Sequence, residues 1–135
     1  MAKNKKTAKP EIGKVGIRWR EDVAEHDYAA AQAYLSLKLD ERRAGDVVAR
    51  LRKAELTKRR ANDILRAAGL DPAPLDDPGV IKDLIKIIEG TELSPVLVVS
   101  GAGRADIADG FHRVSLVYRV DPYGEVPLRL ANAAA

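Results

Sequence analysis

The hydrophobic period of this chain changes once, and that change constrains the fold more than any other feature. Across residues 78–89 the apolar side chains Ile81, Leu84, Ile85 and Ile88 recur at the i, i+3, i+4, i+7 spacing of an amphipathic helix. Asp77 followed by Pro78 supplies an N-cap and a proline at the first helical position, and Gly90 stops the helix. Residues 95–99 then read Pro-Val-Leu-Val-Val. A short, continuous, largely β-branched run of this kind is what a strand covered on both faces requires. The chain must therefore pack helix against sheet.

Upstream of the change the signals are helical. Asp27 suits the N-cap of a helix that places Tyr28, Ala31, Leu35 and Leu39 on one face. Gly45 is expected to end it, and Asp46 to cap a second helix carrying Val47, Val48 and Leu51. Residues 61–69 form a short helix closed by Gly69, and a proline-rich loop follows. Downstream, Ser-Gly-Ala-Gly turns the chain into a second strand at 104–108. A helix follows with Phe111, Val114 and Tyr118 on one side, and the last strand alternates Val126, Leu128 and Leu130. Pro127 cannot donate to a ladder, which predicts an edge position for that strand. Helices first, then strand–strand–helix–strand, gives an α+β fold: a small mixed sheet with N-terminal helices packed on it.

At 135 residues the chain has the size of a single domain. It divides into a basic flexible tail (1–20), an N-terminal helical segment (21–56) and a core (57–131). Trp19 is the one large apolar side chain of the tail and is expected to dock on the body. No cysteine is present, which excludes disulfides, thiolate metal sites and cysteine nucleophiles. No apolar run approaches the roughly 20 residues a membrane span needs, and no apolar segment follows the basic N-terminus. The expectation is a cytoplasmic protein with no membrane association.

The charge is uneven. Residues 1–20 hold seven Lys or Arg against Glu11, a net of +6 in a chain whose total is +3. A second basic stretch, Arg50, Arg52, Lys53, Lys58, Arg59 and Arg60, surrounds Glu55. It reads either as a solvated connection between helices or as a phosphate-contacting surface, and with the tail it makes DNA a candidate partner.

The stretch that carries chemistry is Ile-Ala-Asp-Gly-Phe-His-Arg, residues 107–113, where a strand runs into a helix. A helix start leaves backbone N–H groups unpaired and carries partial positive charge, so it suits phosphate. Gly110 permits a sharp turn and close approach of a ligand. Arg113 offers a planar fork of donors, and His112 can donate a hydrogen bond or move a proton. Asp109 can cap the helix, orient the arginine or hold hydrated magnesium. Each residue also has a structural alternative: a cap, a turn, an ion pair, a satisfied carbonyl. His26 and His112 are the only histidines, so no paired-histidine metal motif exists, and Ser115 beside His112 has no acid partner to make a triad.

With these residues in view, the stretch from Gly90 through Leu93-Ser94-Pro95, the 95–99 strand, Asp109-Gly110-Phe111-His112-Arg113 and Val126-Pro127 resembles the ParB/sulfiredoxin-like superfamily. The resemblance covers about residues 78–130, with 57–70 as a weaker lead-in. It implies a phosphate site at the Asp109–Arg113 turn that includes Phe111. Sulfiredoxins carry a catalytic cysteine where Phe111 stands, so their reductase chemistry is ruled out. ParB partition proteins match at Gly110 and Arg113, but no helix-turn-helix follows here. The free-serine kinases of the superfamily match at Asp109, Gly110 and Arg113 and also need a general base from an N-terminal segment. Asp63 and Glu55 are the candidates for that base, and His112 is the other catalytic candidate. The resemblance thus implies a domain binding a phosphorylated ligand, foremost a nucleotide, with or without magnesium. Its alternatives are a nucleotide-dependent phosphotransferase or hydrolase in the same pocket, and a non-enzymatic protein-interaction module with a vestigial pocket.

Overall fold

The computed structural model describes residues 16–133. Most of the expected basic tail therefore lies outside the described residues. Among the described residues the chain forms five helices and one four-stranded mixed sheet: α1 Glu25–Leu35, α2 Glu41–Lys53, β1 Leu56–Arg60, α3 Ala61–Ala68, α4 Pro78–Ile88, β2 Val96–Gly101, β3 Arg104–Asp109, α5 Phe111–Val120 and β4 Glu125–Asn132. The architecture is α+β. The strand order is β1-β4-β2-β3, antiparallel except for the parallel pair β2 and β4. None of these helices is long and apolar enough to cross a membrane.

The β-branched run occupies the inside of the sheet. Val96, Leu97, Val98 and Val99 are all buried, because β2 has a neighbour on each edge and helices on both faces. Leu97 and Val99 point to one face, where α1 and α2 supply Tyr28, Ala31, Leu35, Val47 and Leu51. Val96 and Val98 point to the other, where α3 and α5 supply Ile64, Leu65, Val114 and Val117. The two-residue period of the strand thus feeds two aliphatic cores.

Four local expectations are corrected. The first helix runs from Glu25 to Leu35, so Ala24 and not Asp27 stands at its N-cap, and Asp40 caps α2 by accepting from the Arg43 N–H at 2.8 Å. Gly45 therefore lies inside α2, and Asp46 instead pairs with Arg42 one turn earlier. Residues 56–60, read as part of a connection, form an edge strand paired with β4. β4 is a central strand, so Pro127 is not in an edge strand; yet the ladder with β2 begins only at Val96 opposite Leu128. Pro127 is thus flanked by β1 alone and its missing N–H breaks no bond to β2.

The fourth concerns α4. Its boundaries and its Asp77 cap are as the sequence indicates, with Asp77 accepting from the Gly79 and Val80 N–H groups. The face turned inward, however, is Val80, Leu84 and Ile87, packed with Leu116 and Ala73. Ile81, Ile85 and Ile88 are exposed, Ile88 at 75%. Apolar residues occupy a wider arc of α4 than the body covers, and periodicity alone does not say which part is buried.

Candidate functional site

The site forms where β3 ends and α5 begins. Gly110 links them with φ of 113°, a conformation that favours glycine. A Cβ there would stand 2.8 Å from Val96 and 3.2 Å from Arg113 Nη2. The missing side chain lets the Arg113 guanidinium fold back against the turn.

Both terminal nitrogens of that guanidinium are engaged. Nη2 donates to Asp109 Oδ2 at 2.7 Å, and Nη1 donates to the Ser94 carbonyl at 2.5 Å and to Asp27 Oδ2 at 3.1 Å. Its side chain is only 12% exposed and that of Asp27 8%. Two carboxylates from opposite ends of the chain therefore converge on one buried cation. Burial pushes the Asp109 carboxyl above the usual carboxylate range; Arg113 opposes the shift and neighbouring Asp27 adds to it.

A cleft of about 470 Å³ opens beside this cluster. The start of α1 contributes His26 and Asp27, and the turn and α5 contribute Asp109, His112 and Arg113. α4 contributes Gly79, Lys82, Asp83 and Lys86, which helical spacing places on one face. Arg20 completes the set of cations. His112 is docked against the first turn of α4: its Nε2 lies 3.2 Å from Asp77 Oδ2, and a Cβ on Gly79 would come within 2.6 Å of its ring. No side chain caps α5, as none caps α1 or α3; only α2 and α4 are capped, by Asp40 and Asp77. Lys82 and Lys86 lie within no ion pair among the described residues.

Of the residues expected at the site, Asp109, His112 and Arg113 meet in the cleft. Gly110 shapes the turn behind them. Phe111 packs against both the core that holds Val114 and the one that holds Leu116, and it is not among the residues that line the cleft. Arg113 holds carboxylates rather than an open place for an anion, and Asp109 binds Arg113 rather than capping α5. Among the described residues no group of three or more histidines and acids is placed to hold a metal ion.

The expected bases are elsewhere. Asp63 accepts from Arg66 on α3 and lines a separate apolar cleft with Ile64, Val98 and Leu128. Glu55 lies exposed between α2 and β1. The basic stretch is divided in the same way. Arg50 donates to the Asn132 carbonyl, while Arg52 pairs with Glu25 and stacks on Tyr28 at 4.1 Å. Lys53 is exposed at the end of α2; Lys58, Arg59 and Arg60 are exposed along β1, with Arg60 over Tyr123. Basic residues on an edge strand discourage edge-to-edge pairing.

Sequence reasoning missed Asp27, Asp83, Lys82, Lys86 and Arg20. For the two acids a signal existed. Asp27 continues the buried stripe Ala31 and Leu35 by one turn, and Asp83 falls between Val80 and Ile87 on the body side of α4. A carboxylate in line with buried apolar positions points inward. Comparison with family models, with curated proteins and with solved structures gave no match.

Proposed function

We propose that the chain is a ParB/sulfiredoxin-like domain whose cleft binds a phosphorylated small molecule of nucleotide size. The observation that carries this reading is the pair Lys82 and Lys86, which join no ion pair among the described residues and act on neighbouring Asp83 only through space, on the α4 face of a cleft that His112 and Arg113 in the first turn of α5 also line. Lysines and helix-start amides are general phosphate ligands, and about 470 Å³ lies within the range of small-molecule sites. The turn Asp109-Gly110-x-x-Arg113 and the Leu93-x-Pro95 strand entrance support the family assignment. In this reading Arg113 builds the site, and Lys82, Lys86 and Arg20 hold the anion.

A second reading is phosphoryl transfer or nucleotide hydrolysis in the same cleft, favoured by Asp27. It is a carboxylate from the N-terminal helix that reaches the Asp109–Arg113 turn, the position in which the kinase resemblance requires a base. The enclosure of Arg113 favours a third, non-enzymatic interaction module. Calorimetric titration with ATP, ADP, CTP and GTP, with and without magnesium, tests all three. The first reading expects micromolar binding that Lys82→Ala/Lys86→Ala weakens at least about tenfold; absence of binding to every nucleotide and to inorganic phosphate overturns it in favour of the third. Release of phosphate that Asp27→Asn abolishes marks the second.

A further inference from the structure

We propose that the apolar groove between α3 and the sheet is a second binding site, which takes a medium-chain aliphatic carboxylate and holds its head group on Arg59. The site is separate from the cleft at Asp109–Arg113. The groove measures about 290 Å³. It exists because α3 is short, spanning eight residues before Gly69 ends it. Val98 and Leu128 are buried in the core that α3 covers, whereas Leu130, two residues further along β4, is 37% exposed. The two-residue period of a strand keeps Leu130 on the face of Leu128, and Ser100 on the face of Val98. Ala67 on α3 and Ala105 on β3 also line the groove, and a single methyl on each leaves it open.

The lining selects the body of the ligand. Ile64, Ala67, Val98, Ala105, Leu128 and Leu130 are aliphatic, and no aromatic ring lines the groove. An alkyl chain gains by leaving water for such a surface, while a flat ring finds nothing to stack on. The volume lies at the low end of small-molecule sites and admits a chain of modest length. The rim selects the head. Asp63, the one acid there, is already paired with Arg66 at 2.9 Å. Arg59 joins no ion pair and no side-chain hydrogen bond among the described residues. Past Ala67, Ser100 and Ala105 the groove adjoins a second hollow, in which Arg104 is the only charged residue. The charge left uncompensated around the groove is therefore positive, and its complement is an apolar chain bearing an anion. A guanidinium fork matches a planar carboxylate through two parallel hydrogen bonds.

The test is a methyl NMR titration of the full chain with octanoate, octanol and octylamine at low ionic strength. Shifts of the Ile64, Val98, Leu128 and Leu130 methyls report the site. Wild type is expected to bind octanoate at least about threefold more tightly than octanol, the scale of an exposed ion pair, and octylamine more weakly than either. In Arg59→Ala the affinity for octanoate falls to that for octanol, which itself stays unchanged. Ala67→Phe, at an exposed position of α3, fills the groove and loses all three compounds while its circular dichroism stays native. Saturation that leaves these four methyls unmoved, or survives Ala67→Phe, overturns the site, as does no binding at all. Equal affinity for the three head groups overturns the carboxylate and leaves a groove suited to an apolar side chain of a partner protein. A preference for octanoate that Arg59→Ala retains overturns the role of Arg59. Nucleotide binding in the cleft is read separately, so the two sites stand or fall independently.

Discussion

Asp27 Oδ2 lies 3.1 Å from Arg113 Nη1, a contact that spans 86 residues of chain and ties α1 to the start of α5. Both groups are buried, and Arg113 also holds Asp109. Removing the cation leaves two carboxylates facing each other out of water. Arg113→Ala is therefore expected to lose about 3–5 kcal/mol of stability, read as a drop in urea midpoint. Asp27→Asn should lose less, since Asp109 still neutralises the guanidinium. Loss of ligand binding in Arg113→Ala alone would report unfolding as readily as a lost contact, so the lysines of α4 are the sounder probes of the anion site.

Gly110→Ala combines two penalties. Its φ of 113° disfavours any side chain, and the new Cβ would stand 2.8 Å from Val96 in the central strand. The expected cost is about 2 kcal/mol or more. A thermal midpoint equal to wild type would refute this account of the turn.

Gly79 and His112 should be energetically coupled. In a helix, Gly→Ala normally gains up to about 1 kcal/mol. Here the Cβ would come within 2.6 Å of the His112 ring. Gly79→Ala is expected to gain nothing in wild type but to stabilise the His112→Ala variant. A double-mutant cycle by chemical denaturation measures the difference, and additive effects would mean that the ring is not docked on α4.

Asp83 predicts a pH dependence. Burial raises its pKa above the ordinary aspartate range, more than the nearby cations lower it. The folded state then binds the proton more tightly than the unfolded chain, so stability is higher in acid and falls as pH rises through the raised value. Asp83→Asn lacks this penalty. The variant is expected to be more stable than wild type at neutral pH, with the gap closing as pH falls below the ordinary aspartate range. Thermal melts across the acid range measure it; a constant gap would show that the charge is not its source.

Much of the fold was legible because its signals are local. Asp77, Pro78 and Gly69 mark helix ends through backbone geometry that needs no partner. The 95–99 run declares a doubly covered strand because only such a strand can use apolar side chains on both faces. β1 was not legible: Thr57, Lys58, Arg59 and Arg60 carry no apolar alternation, and the strand exists because β4 offers an open edge. The limits of α1 and α2 were misplaced because Asp40 and Asp46 are equally good caps in isolation, and packing against the sheet chose between them.

The candidate site divides along the same line. The sequence by itself determined a glycine hinge between a buried strand and a helix, with Asp109, His112 and Arg113 beside it, since these are consecutive residues. Only the tertiary structure decided what the hinge faces. It brought Asp27 from α1 onto Arg113, converting a ready anion fork into a structural ion cluster, and it set Lys82, Asp83 and Lys86 across from that cluster. The reason is physical: a charge is read along the chain, but its function depends on which opposite charge and how much water surround it once the helices pack.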